Sequence, residues 1–105
     1  MSGDRRTVRT TQQFFEDLDR QLPPDRGAHG EPSSHDFQVY ELLRVVNQFA
    51  TEFDSMAELI PGRPDYRILV TAGLLVSRFA VIGQLASDGA VELVRLRLDL
   101  EADWD

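Results

Sequence analysis

The stretch that decides the fold is residues 65–100, DYRILVTAGLLVSRFAVIGQLASDGAVELVRLRLDL. Within it, β-branched and aromatic residues alternate with other residues in three runs, and this pattern is typical of β-strands. The runs span residues 66–71, 74–86 and 90–100. They are separated by Ala72-Gly73 and by Ser87-Asp88-Gly89, which have the composition of hairpin turns. The stretch therefore predicts three antiparallel strands joined by two tight hairpins.

The length of each turn predicts which residues face each other and which share a face of the sheet. If Asp88-Gly89 is a two-residue turn, the second hairpin has a mostly apolar face. Its predicted pairs are Phe79 with Leu98, Val81 with Leu96, Gly83 with Val94 and Leu85 with Glu92. If Ala72-Gly73 is also a two-residue turn, Tyr66, Ile68 and Val70 join the same face.

The opposite face of this predicted sheet collects arginines. In the same register Arg67 lies across from Arg78, and Arg78 lies across from Asp99. Arg95 and Arg97 follow on the last strand of that face. Guanidinium groups can hold phosphates or carboxylates through paired hydrogen bonds, so these arginines form a candidate binding surface. The alternative is an ordinary solvated strand face, on which an Arg78–Asp99 pair adds little stability.

The chain before this stretch predicts one short strand and two helices. The expected order is an edge strand at 7–11, a helix capped by Thr10 or Thr11 and ended by Pro23-Pro24, a flexible loop at 23–33, and a longer helix from Ser33 or Ser34 to Ile60. A break of the second helix near Asp54-Ser55 is left open.

These elements predict a single α+β domain over residues 1–105, in the order β-α-α-β-β-β. Both helices are expected on one face of a small antiparallel sheet, which leaves the arginine face uncovered. The predicted core contains Phe49, Phe53, Tyr66, Ile68, Phe79, Val81, Leu96 and Leu98. An acidic tail follows at 101–105, and its Trp104 is either a core side chain or an anchor for a binding partner.

Composition argues against several classes of function. The chain of 105 residues has no cysteine, so it has no disulfide, no thiolate nucleophile and no sulfur-type zinc site, and we expect neither a metal nor another cofactor. A formal net charge of −7 opposes general nucleic-acid binding. No apolar run approaches membrane-spanning length, and the polar N-terminus lacks a secretory signal, so the sequence predicts a cytoplasmic protein without a membrane partner.

The order of elements resembles that of the RelE/ParE superfamily of bacterial toxins. The resemblance covers residues 7–100 and rests on a few segments: TVRTTQQFFEDLDRQL at 7–22, a second helix, a Pro-Gly connection, Tyr66-Arg67 at the start of a strand, and VSRFAV at 76–81. It implies a compact toxin that cleaves messenger RNA at the ribosome, or binds DNA gyrase, and that is silenced by an antitoxin partner.

Arg67 and Arg78 are the positions that the resemblance carries over. In the nuclease branch such arginines hold the scissile phosphate, and a separate acid and base move the protons. Here residues 95–105, RLRLDLEADWD, lack the basic, His- or Tyr-containing end typical of the family, and no Lys, His or Tyr falls on the predicted arginine face. Asp99 is the only candidate base, and its pairing with Arg78 makes it a poor one.

Two functions therefore remain as expectations. The first is a RelE/ParE-like toxin that acts by target binding or by cleaving messenger RNA, with Arg67, Arg78 and Asp99 as candidate catalytic residues and Arg95, Arg97 and Trp104 as candidate binding residues. The second is a non-catalytic interaction or structural subunit with the same fold. The sequence leaves open a homo-oligomer.

Overall fold

The computed structural model describes residues 5–28, 30, 32–74, 76 and 78–99. Its elements are β1 (Val8–Thr10), α1 (Gln12–Gln21), α2 (Ser34–Tyr40), α3 (Leu42–Glu52), a 3-10 turn (Phe53–Ser55), β2 (Ala57–Glu58), β3 (Tyr66–Ala72), β4 (Arg78–Leu85) and β5 (Val91–Asp99). No helix in these described ranges has the length and apolar character needed to cross a membrane.

The five strands form one sheet in the order β1-β5-β4-β3-β2. The predicted α+β class is confirmed, but the sheet is mixed rather than purely antiparallel, because β1 runs parallel to β5 with Val8 opposite Val91. The other three pairings are antiparallel. The described chain also has a third helix and the short strand β2, neither of which the sequence predicted.

Local capping signals set where α1 and α2 begin. The Thr11 hydroxyl accepts a hydrogen bond from the Phe14 N–H, and Ser33 and Asp36 form a reciprocal capping box at the start of α2. The predicted second helix is two helices, because it breaks at Glu41 between α2 and α3. Its end near Asp54 agrees with the break near Asp54-Ser55 that the sequence left open.

The core lies between the helices and one face of the sheet. Six of the predicted core residues are buried: Phe49, Phe53, Phe79, Val81, Leu96 and Leu98. The Phe37 and Phe79 rings meet edge to face at 5.3 Å between centroids, which joins α2 to β4. Tyr66 and Ile68 were wrongly predicted as core, because both are only half-buried and lie on the other face of the sheet.

The hairpin between β4 and β5 turns through residues 87–89 rather than through two residues. The Ala86 N–H donates to the Ala90 carbonyl, and Gly89 has a φ of +88°. The longer turn shifts the strand pairs next to it by one residue, so Gly83 lies opposite Leu93. A β-bulge next to Gly83 restores the predicted register in the half of the hairpin away from the turn, where Phe79 lies opposite Leu98.

Gly83 also allows the helices to pack closely on the sheet at this bulge. A Cβ atom at this position would lie 2.5 Å from Cε1 of Phe49. Only glycine therefore lets the Phe49 ring of α3 rest against β4, and a glycine inside a strand run is a recognised sign of such a close approach.

The connection between β3 and β4 contradicts the predicted tight turn at Ala72-Gly73. Ala72 lies opposite Arg78, so five residues make the connection instead of two. The fully buried Glu41 carboxylate accepts a hydrogen bond of 2.6 Å from the Leu74 N–H. A Cβ atom on Gly73 would lie 2.9 Å from that carboxylate. Since the register moves by an odd number of residues, the two faces of β3 are exchanged relative to the prediction.

Helix α1 covers the outer edge of β5 beyond the point where β1 ends. The Gln21 side-chain amide donates to the Leu96 carbonyl at 2.8 Å and accepts from the Leu98 N–H at 2.7 Å. The Asp17 carboxylate accepts from the Leu96 N–H at 2.9 Å. These side chains occupy the hydrogen-bonding groups that a neighbouring strand would otherwise use.

Candidate functional site

The sheet surface turned away from the helices is the candidate site, and we call it the open face. Its residues are Tyr66, Ile68, Val70 and Ala72 on β3, Arg78, Ala80, Ile82 and Gln84 on β4, and Glu92, Arg95, Arg97 and Asp99 on β5. None of the twelve side chains belongs to the buried core. Apolar side chains line β3 and the middle of β4, Arg78 and Gln84 lie at the two ends of β4, and charged side chains line β5.

One end of this face has two exposed arginines beside one acid, and we call it the arginine end: Arg78, Arg97 and Asp99 with Val70 and Ala80. Arg78 makes one long ion pair, 3.4 Å from Nη2 to Oδ2 of Asp99. Arg97 has no hydrogen bond or ion pair within the described part of the chain. A concavity of about 700 Å³ lies here, bordered by all five residues together with Gln21, Phe79 and Leu98.

Arg95 shares the open face but is engaged in holding α1 to β5. Its Nε donates to Oδ2 of the buried Asp17 at 2.8 Å. Burial raises the pKa of Asp17, but hydrogen bonds from Arg95, the Leu96 N–H and Arg20 outweigh it and hold that pKa below its usual range. Arg95 is therefore a structural partner of an ionised carboxylate rather than a free binding group.

Arg67 does not lie with Arg78, contrary to the predicted face. It lies opposite Gly83 on the helix-covered side, because the five-residue connection exchanges the faces of β3. Its Nη1 donates to the Met56 carbonyl at 2.7 Å, its Nε donates to the Pro64 carbonyl at 2.8 Å, and its guanidinium lies 5.6 Å from the Phe53 ring centroid. Arg67 and Arg78 thus cannot hold one phosphate between them.

Tyr66 lies on the open face, but the place opposite Arg78 that the sequence assigned to Arg67 is occupied by Ala72. Tyr66 is opposite Gln84, whereas Ala72 is opposite Arg78, so six residues of strand, about 20 Å, separate Tyr66 from the arginine end. The guanidinium of Arg63 lies 5.0 Å from the Tyr66 ring centroid. Tyr66 cannot move protons for chemistry at Arg78 over this distance.

Groups that could transfer protons are scarce at the arginine end. Among the described residues there, Asp99 is the only acid, and Arg78 is its ion-pair partner. The ranges that the structure describes bring together no three His, Cys, Asp or Glu side chains that could hold a metal ion. Trp104, predicted as a binding residue, lies outside the described residues. The arrangement can hold an anionic group beside an apolar floor, but it does not assemble an acid and a base.

Sequence reasoning missed Glu41, which is not among the candidate residues of the sequence analysis. Glu41 is fully buried, accepts from Nη2 of Arg44 at 2.8 Å, and holds the connection that exchanges the faces of β3. Its neighbours Tyr40 and Leu42 are exposed and half-buried, so the local sequence gave no sign that the Glu41 carboxylate is buried.

Comparisons of the chain with protein-family models, with curated proteins and with solved structures find no match.

Proposed function

We propose that this protein is a RelE/ParE-like toxin component that inhibits growth by binding a target, not by acid-base cleavage of RNA. The observation that carries the proposal is the arginine end, where Arg97, which has no partner among the described residues, and the weakly paired Arg78 flank the exposed Val70 and the half-buried Ala80. Guanidinium groups beside an apolar floor suit recognition of a partner that carries carboxylates or phosphates.

The arrangement of the chain supports the toxin-like part of the proposal. The segments on which the resemblance rests form a first strand that leads into a helix, further helices, and then hairpin strands with Arg78 at the start of β4. The position of Arg67 favours binding over cleavage, because the two family arginines lie on opposite faces of the sheet.

The proposed partners are a cellular target such as the ribosome or gyrase, and an antitoxin that silences the protein. A neighbouring gene that encodes a short antitoxin would support this assignment. The cytoplasm is the compartment in which such a target and such an antitoxin would be met.

A non-catalytic interaction subunit is the second candidate function, and one observation favours it. Val39, Tyr40 and Leu43 are each more than half-exposed on α2 and α3, although all three are large and apolar. Exposed apolar clusters of this kind often mark protein interfaces. A subunit that joins two partners could use this helix surface for one of them and the arginine end for the other.

Induced expression in a bacterial host tests the proposal. The wild-type chain should arrest growth without cutting transcripts, and Arg78→Ala/Arg97→Ala should abolish the arrest because it removes the two exposed guanidinium groups of the arginine end. Arg9→Ala/Arg63→Ala is the matched control, since it removes two exposed arginines elsewhere that are already paired with Asp88 and Asp65. Circular dichroism should show all variants folded.

Other outcomes of this experiment would point to a different function. Growth arrest with cut transcripts, abolished by the Arg78/Arg97 variant alone, would show that the site catalyses RNA cleavage. Absence of any growth effect from the wild-type chain would favour the interaction subunit. Equal loss of arrest in the control variant would show that net charge, rather than the arginine end, matters.

A further inference from the structure

The segment 100–105, LEADWD, continues the chain directly from the arginine end. It follows Asp99, which ends β5, pairs with Arg78 and borders the same concavity as Arg97. Six residues can span about 20 Å, several times the spacing of about 4.8 Å between neighbouring strands. The segment is therefore long enough to turn back and reach Val70 and Ala80.

The chemistry of this segment complements the arginine end. It carries three carboxylates, Glu101, Asp103 and Asp105, and two apolar residues, Leu100 and Trp104. The arginine end offers two exposed guanidinium groups beside an apolar floor, in which Val70 is 57% exposed. Carboxylates can pair with guanidinium groups, and an indole ring can cover an aliphatic floor or stack against a guanidinium.

We propose that residues 100–105 of the chain dock on its own arginine end, with their carboxylates on Arg78 and Arg97 and with Trp104 over Val70 and Ala80. Close attachment favours this intramolecular occupant, because a tethered segment has a high effective concentration at a neighbouring site. The docking itself is independent of the proposed function. Only its consequence rests on that function: the segment would compete with any partner that uses the arginine end.

Trp104 is the chain's only tryptophan and reports on this docking directly. Acrylamide quenching of its fluorescence should show a shielded indole in the purified chain of residues 1–105. In Arg78→Ala/Arg97→Ala the ratio of docked to free segment should fall about fivefold, which corresponds to about 1 kcal/mol for exposed ion pairs. Quenching should rise and the emission maximum should move to longer wavelength. High salt should act in the same direction.

Two further variants test the specificity of the contact. Val70→Glu places a carboxylate on the exposed floor and should release Trp104, with little risk to folding because the side chain points outward. Arg9→Ala removes an arginine that is paired with Asp88 and Glu92 at the far end of the open face, and it should leave quenching unchanged.

Three results would overturn the proposal. The first is a Trp104 that is as accessible to acrylamide in the wild-type protein as in a free LEADWD peptide. The second is quenching that does not change in Arg78→Ala/Arg97→Ala. Shielding that appears only as protein concentration rises would assign the docked segment to a second copy. Quenching is measured on purified protein, so it tests the docking independently of the toxin function. A shielded Trp104 without growth arrest would support the docking proposal and contradict the toxin proposal. Growth arrest with an accessible Trp104 would support the toxin proposal and contradict the docking proposal.

Discussion

The hairpin between β4 and β5 is closed by its own residues, whereas the connection between β3 and β4 is held by a side chain from a helix. In the first, the Ala86 N–H bonds to the Ala90 carbonyl and Gly89 adopts a positive φ. In the second, Glu41 binds the N–H of Leu74, which lies 33 residues later in the chain. Two hairpins that share β4 therefore depend on different parts of the molecule, one on local turn chemistry and one on tertiary packing.

Glu41→Ala should give the largest loss of stability and would test the tertiary side of this comparison. We expect the free energy of unfolding to fall by about 3 kcal/mol, because Leu74 and Arg44 lose a buried, charged hydrogen-bond acceptor. Denaturant titration measures the change. Glu41→Gln keeps an acceptor oxygen in place and should lose less, so equal losses would show that volume rather than hydrogen bonding holds the connection.

Gly83→Ala tests the strand that both hairpins share. The added methyl group would overlap the Phe49 ring, and we expect a loss of about 1–3 kcal/mol in the free energy of unfolding. In a Phe49→Leu background the same substitution should cost less, because the overlapping ring atoms are gone. Equal costs in both backgrounds would mean that the strain lies in the bulge and not in the contact with α3.

Gly89→Ala should have the smallest effect and tests the local turn. An alanine at a φ of +88° costs about 1 kcal/mol, and nothing lies within 4 Å of the added Cβ. Thermal or denaturant unfolding will measure it, with Ser87→Ala as an exposed control in the same turn. A larger loss for Gly89→Ala than for Glu41→Ala would reverse the comparison between the two hairpins.

Much of the fold could be predicted because its signals are local. Thr11 and the Ser33–Asp36 pair cap helices where their sequence motifs indicate, and Phe79 and Leu98 are buried opposite each other. The predicted register of the outer β4–β5 pairs is correct although the turn is one residue longer, because a bulge next to Gly83 compensates.

The candidate site was predicted only in part, because the positions of two of its arginines depend on distant parts of the chain. Arg78 and Arg97 are exposed on the open face as expected. Arg67 is not with them, and Arg95 is bound to Asp17, which contacts it only because α1 packs along the edge of β5. The Arg67–Met56 and Arg95–Asp17 contacts join residues 11 and 78 positions apart in the chain, so no local sequence motif indicates them.

The sequence by itself determined the starts of α1 and α2, the strand runs of the two hairpins and the alternation of side chains within each strand, since these depend on neighbours close in the chain. Only the tertiary structure decided which face of β3 joins which face of β4. That choice depends on the number of residues in the connection, and Glu41 holds the connection through a carboxylate that reaches Leu74 because α3 packs against the sheet.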